Sequence, residues 1–112
     1  MIFLDHAATT PVRREALEAM WPYLSGAFGN PSSSHGLGDE AARALAWARG
    51  EVAEVLCCRP GDVVFTSGGT EADNLAVKGL ALANPRGRHL VISPIEHEAV
   101  LESAEYLSLI HI

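Results

Sequence analysis

The apolar positions of the chain recur with a helical period along some stretches and bunch into short runs along others. Leu17, Met20, Trp21 and Leu24 fall at i, i+3, i+4 and i+7, one face of a helix. Thr10 as N-cap and Pro11 as first helical residue would start it, and Pro22 should kink or end it. Ala41, Leu45, Ala48, Val52 and Val55 repeat the pattern, with Arg43, Arg49, Glu51 and Glu54 elsewhere on the wheel. Gly50 weakens that helix modestly. Ala72, Leu75, Ala76, Gly79 and Leu80 form another such face. Val63-Val64-Phe65 and Leu90-Val91-Ile92 read instead as short buried strands, and Ile2-Phe3-Leu4 as an edge or lead-in strand. The pattern therefore predicts helices over Pro11–Tyr23, Asp39–Leu56, Thr70–Ala83 and Glu96–Tyr106, and strands over Val63–Thr66 and Leu90–Ser93. Strand, helix, strand in that order makes a βαβ unit with parallel strands, hence an α/β fold.

Turn chemistry fills the gaps. Arg59-Pro60-Gly61-Asp62 and Asn84-Pro85-Arg86-Gly87 are turns. Ser25 to Gly38 is rich in Gly, Pro, Ser and Asn. By composition it is a flexible linker; as a long loop held in a compact domain it would be functional.

The candidate chemistry centres on Thr66-Ser67-Gly68-Gly69-Thr70-Glu71-Ala72-Asp73-Asn74. A strand, a glycine turn and a capped helix make an anion site, because the first N–H groups of a helix have no partner and carry the positive end of the macrodipole. Thr70 and Asp73 match the capping box, which makes Thr70 the N-cap. Gly68 and Gly69 let a phosphate approach with no Cβ in the way. The plain alternative is a strand-to-helix turn that binds nothing. Neither G-x-x-x-x-G-K-[ST] nor G-x-G-x-x-G is present, so a nucleotide is not the natural ligand. Ser93 and Glu96 also fit a capping box, and His97 would stand at the next helix start, where a histidine is either structural or functional.

Composition narrows the classes. At 112 residues the chain is one domain at most, and its 48% hydrophobic share is that of an ordinary globular protein. A net charge of -6 and basic residues that form no run argue against nucleic acid as a partner. No apolar stretch approaches a membrane span, and Met1-Ile2-Phe3-Leu4-Asp5 lacks the features of a signal peptide, so a cytoplasmic protein is expected. Cys57 and Cys58 are adjacent, neither a disulfide framework nor zinc-knuckle spacing, and no metal site is expected. They are reactive thiols or, as free cysteines usually are, small buried hydrophobes. Only Arg59 is near enough in sequence to activate them. Lys78, the only lysine, invites a Schiff-base reading. It lies about 12 Å along the helix from the cap at ~1.5 Å per residue, which favours a solvated helix charge.

Several of these segments together resemble one family. Thr66 to Asn74 resembles the phosphate-binding turn of cysteine desulfurases, class V members of the fold-type I enzymes that use pyridoxal 5′-phosphate. Leu4-Asp5-His6-Ala7-Ala8-Thr9-Thr10-Pro11 is similar to the family's opening segment, which lies near the substrate site. Gly29-Asn30-Pro31-Ser32-Ser33-Ser34-His35 resembles its G-N-P-S-S-x-H segment at the active-site mouth and dimer contact, and Glu96-His97-Glu98-Ala99-Val100 its E-H-x-A-V motif. The match runs from Leu4 to about Tyr106, in the right order.

The resemblance implies an N-terminal part of such an enzyme: helices plus the first strands of the large-domain sheet. Gly69 and Thr70 would bind the cofactor phosphate, and His97 would stack on the pyridine ring and assist proton transfer. The implied reaction turns L-cysteine into L-alanine and passes sulfur, as an enzyme persulfide, to an acceptor such as an iron–sulfur scaffold or to tRNA thiolation. The implied parent is a homodimer. The family's Schiff-base lysine, pyridine-binding aspartate and mobile cysteine lie beyond this chain, which by itself is expected to be inactive. Selenocysteine lyase or another class V enzyme is the nearest alternative, and a non-enzymatic fragment or binding module the alternative of another class. Residues 1–106 read as the N-terminal portion of the class V domain. Leu107 to Ile112 resembles an in-frame transposon-end adapter sequence, with an apolar strand over Leu109–Ile112 as the other reading.

Overall fold

The computed structural model describes residues 2–83 and 87–110. The turn expected at Asn84-Pro85-Arg86 and the last two positions, His111 and Ile112, lie outside the described residues. The helices are α1 (Arg14–Ser25), α2 (Gly36–Val55), α3 (Gly69–Ala83) and α4 (Glu98–Ile110), with a 3-10 turn at Pro60–Asp62. The chain divides into two compact units, Met1–Val63 and Val64–Ile112.

All four predicted helices are present, with shifted ends. In the first unit α1 begins three residues after Pro11, with Arg13 extended at its N-cap and Leu17 N–H donating to Arg13 C=O at 3.0 Å. Thr10 and Pro11 stay outside the helix, and an exposed Arg14–Glu18 pair at 2.7 Å spans its first turn. Pro22 does end α1, but one turn late: Gly26 and Ala27 N–H both donate to Pro22 C=O.

α2 starts earlier than Asp39 because His35 caps it, its Nδ1 accepting from Gly38 N–H at 3.3 Å. The loop before it is ordered, not a flexible linker. Asn30 Oδ1 accepts from Ser32 N–H at 2.9 Å, and Asn30 C=O from Ser33 N–H at 2.9 Å. Gly29 and Gly38 make this closure possible: a Cβ on Gly29 would sit 2.0 Å from Leu37 O, and one on Gly38 2.1 Å from Ser33 O. On α2 the expected face is largely open, since Leu45, Val52 and Val55 are exposed. The buried residues are Gly38 and Ala53, the latter on the flank where Arg49 Nε donates to Val63 C=O at 3.2 Å.

The end of α2 corrects the reading of the cysteines, because both thiols are exposed. Cys58 N–H donates to Ala53 C=O at 2.9 Å and Cys57 N–H to Glu54 C=O at 3.1 Å. This doubly bonded helix end requires a left-handed residue, and Cys57 adopts it at φ 51°.

The predicted strands do not form. Among the described residues the structure is helical only, and residues 63–66 and 90–93 carry no ladder. Val63 is extended (φ -93°, ψ 122°), as its β-branched side chain prefers. A strand, however, is a property of a pair, and an extended segment without a neighbour makes no sheet. Of the α/β expectation, the helices alone are met among the described residues.

In the second unit α3 packs on α4. Ala99, Ser103 and Leu107 of α4 are buried at i, i+4, i+8, and Ser103 Oγ donates to Ala99 C=O at 2.6 Å. The expected face of α3 is again turned outward: Leu75 and Leu80 are exposed, while Asn74, Val77, Lys78 and Ala81 are half-buried. Leu107 to Ile110 continue α4 and are not a strand.

Gly38→Ala is expected to destabilise the first unit by about 1–3 kcal/mol, the usual cost of overpacking, read as a lower urea midpoint. Cys57→Gly should raise stability by about 1 kcal/mol, since glycine escapes the left-handed penalty, read in the same titration.

Candidate functional site

The start of α3 is built by its own side chains. Thr66 Oγ1 donates to Gly68 C=O at 3.1 Å. Ser67 N–H and Ser67 Oγ both donate to Glu71 Oε2 at 2.6 Å. These bonds bend the chain at Ser67 and Gly68 and release it into the helix at Gly69. Ala72 N–H donates to Gly68 C=O at 3.1 Å, which makes Gly68 the N-cap and places Thr70 inside the first turn. The Thr70–Asp73 capping box is therefore replaced by the Ser67–Glu71 pair. Its donors come from the turn before the helix, so the N–H groups of Gly69 and Thr70 stand ahead of the first intrahelical bond.

Charge around the turn follows this geometry. The Ser67 hydroxyl and N–H hold the Glu71 carboxyl below its ordinary value by stabilising the charged form. A Cβ at Gly68 or Gly69 would meet no atom within 4 Å, so the space over the turn is open. Further along, Asn74 Nδ2 donates to Thr70 C=O at 2.9 Å, and Lys78 Nζ donates to Asn74 Oδ1 at 2.5 Å. Lys78 Nζ also lies 4.7 Å from the centre of the Tyr106 ring of α4. Lys78 is thus not a solvated charge; it is half-buried and links the two helices.

His97 stands immediately before α4. Its Nδ1 accepts from Ala99 N–H at 3.1 Å, so His97 caps this helix. Ser93 makes no capping box with Glu96; its hydroxyl accepts from Ile95 N–H at 3.4 Å, within its own turn. A neutral imidazole that accepts at Nδ1 carries its proton on Nε2. The ring is exposed.

Gly69 and Thr70 thus share one helix start and His97 occupies the next. A hollow of about 770 Å³ in this unit runs along the helix bodies, lined by Ala76, Val77, Leu80, Leu90, Ala104 and Leu107 among others. Its lining includes none of Gly69, Thr70 and His97. Asp5 and His6 lie in the other unit, in an exposed turn where Phe3 and His6 meet edge to face at 5.0 Å. The reading by motif missed Glu71, Asn74 and Tyr106. The i, i+4 spacings Ser67–Glu71, Thr70–Asn74 and Asn74–Lys78 carried the signal for the first two.

A model of the aminotransferase class-V family matches residues 2–109. The chain is similar to the cysteine desulfurase IscS of Dictyoglomus turgidum, 47% identical over 107 residues, covering 95% of this chain and 27% of that protein. It is 50% identical over 107 residues to the putative cysteine desulfurase IscS 1 of Bacillus subtilis, covering 95% of this chain and 28% of that one. Among solved structures it is similar to a NifS-like protein, with a TM-score of 0.85, 42% identity, 94% of this chain and 29% of that chain covered. It is likewise similar to SspA in complex with cysteine, with a TM-score of 0.84, 41% identity, 96% of this chain and 31% of that chain covered. The chain therefore spans about a quarter of the length of these curated relatives.

The lowered Glu71 value fixes the sign of a pH effect. A depressed carboxyl stabilises the fold above its unfolded value, near 4.5, and the contribution is lost as pH falls through the folded value. The protection factor of the Ser67 amide should therefore fall on acidification below pH ~4.5. In Glu71→Gln protection should already be low at neutral pH and show no such step.

Proposed function

The chain belongs to the aminotransferase class-V family, and from that premise we propose that it is part of a cysteine desulfurase. Such an enzyme uses pyridoxal 5′-phosphate to convert L-cysteine into L-alanine. The sulfur leaves as an enzyme persulfide for an acceptor protein, in iron–sulfur cluster assembly or tRNA thiolation. The observation that carries the reading is the start of α3, where open space lies over a Gly68-Gly69 turn and the N–H groups of Gly69, Thr70 and Glu71 precede the first intrahelical bond.

The residues present fit the cofactor's phosphate. Gly69 and Thr70 would bind it through their backbone N–H groups, with the helix dipole adding attraction for the dianion. Glu71, engaged by Ser67, shapes the turn without occupying those amides. When bound, the pyridoxal group supplies an electron sink for the amino acid's Cα. His97 would lie over the ring and hold or pass a proton at Nε2, because Nδ1 is engaged by Ala99. Lys78 has no part in covalent chemistry in this reading, since Asn74 and Tyr106 hold it along the helix. L-cysteine as substrate agrees with the similarity to SspA in complex with cysteine. A homodimer and a cytoplasmic location complete the proposal; free exposed thiols at Cys57 and Cys58 accord with a reducing compartment.

The test exchanges residues 2–109 for the matching stretch of the Dictyoglomus turgidum enzyme. The chimera should take up pyridoxal 5′-phosphate and release alanine and sulfide from L-cysteine, whereas the 112-residue chain alone should not exceed free cofactor. In the chimera, Gly69→Pro removes one phosphate-binding N–H at a helix position that tolerates proline. It should weaken cofactor binding by at least about 10-fold, as expected for a hydrogen bond to a charged group. His97→Asn keeps a capping oxygen and should lower kcat by about 100-fold with cofactor still bound. A chimera that folds and holds the cofactor but leaves cysteine untouched would count against the proposal.

A further inference from the structure

Cys57 and Cys58 are adjacent, and neither burial nor helix capping accounts for them. Both are exposed. The helix end they complete is held by backbone bonds alone, and its left-handed position suits glycine or asparagine better than the Cys57 found there. The neighbouring cation is also engaged elsewhere. Arg59 makes a two-pronged pair with Asp62, Nε to Oδ2 at 3.0 Å and NH2 to Oδ1 at 2.8 Å. Adjacency does place two soft donors on one turn.

We propose that Cys57 and Cys58 form a vicinal dithiol site that binds a thiophilic trivalent centre of the arsenite class through both sulfurs. Thiolates are soft ligands and select soft partners. A bridging atom also suits this spacing better than a direct disulfide. Consecutive Cα atoms lie about 3.80 Å apart across a trans peptide, and no peptide bond among the described residues is cis. A disulfide usually spans about 4.4–6.8 Å between Cα atoms and holds its own dihedral near 90°. An interposed arsenic enlarges the ring by one member and removes the S–S torsion. With phenylarsine oxide the arsenic–oxygen bond and two S–H bonds break, and two As–S bonds form. The oxygen leaves with both protons as one water. Arsenic stays trivalent, so no oxidant or reductant is required.

The experiment titrates the reduced full chain with phenylarsine oxide and follows intact mass and free thiols. The adduct is then challenged with glutathione and afterwards with dimercaptopropanol. The expected result is one phenylarsenic group per chain, both thiols consumed, and release by the dithiol. The adduct should withstand about 100-fold more glutathione than that of Cys57→Ser or Cys58→Ser, the gain of a second tethered donor. Serine at either position leaves the backbone bonds of the turn in place, and far-UV circular dichroism verifies this. Two arsenic groups per chain would overturn the proposal. So would single-cysteine variants as resistant as the parent, or uptake by the urea-unfolded chain alone.

Discussion

The approach of α4 to α3 governs the described residues of the second unit. It is set by what is missing from the seam. Ala99 and Ser103 bring almost no side chain to it, so the helices approach closely, and Leu107 closes the row as the one large buried group. Ser103 is fully buried, and its hydroxyl is tolerated because it bonds back to Ala99 C=O. Without that bond a buried hydroxyl costs about 1–3 kcal/mol. On the rim, Lys78 Nζ over the Tyr106 ring at 4.7 Å ties the two helices. The two helices that meet here are those whose starts carry Gly69 and Thr70, in the first turn of α3, and His97, at the cap of α4. The seam is therefore what holds the candidate binding groups on a common support.

Residues 1–63 are held by a different device, backbone against backbone. The loop ahead of α2 folds down on the helix start because Gly29 and Gly38 have nothing to obstruct it. After α2, the Arg59–Asp62 pair closes the 3-10 turn, and Asp62 is held ionised by that arginine. Arg49 then fixes the Val63 carbonyl from the flank of α2. Much of the apolar surface stays uncovered: Leu4 is 89% exposed, Phe28 78% and Trp47 61%.

How much of this was legible depended on range. Helix existence could be read from Leu17–Leu24 or Ala41–Val55, because period and length are local properties. Which face packs could not be. Periodicity marks Leu75 and Leu80 as apolar, but Asn74 and Lys78 turned inward because Tyr106 and Thr70 offered them partners. The strands failed for the same reason in a stronger form: Val63 takes the extended backbone its side chain favours, but pairing needs a neighbour that no local pattern supplies. At the site, the glycine turn and the helix start at Gly69 were legible within one residue. The capping role of His97 was not, since imidazole is seldom a cap. Thr70 as N-cap was wrong because Glu71 reached Ser67 and moved the helix start back.

The stretch from His89 to Ile92 has a consequence of its own. Its side chains favour pleated, half-buried surfaces, and it lies in no ladder among the described residues. A segment with these preferences and no ladder partner is a template on which a further strand can pair, so its secondary structure is decided by whatever chain is laid beside it and not by its own residues alone.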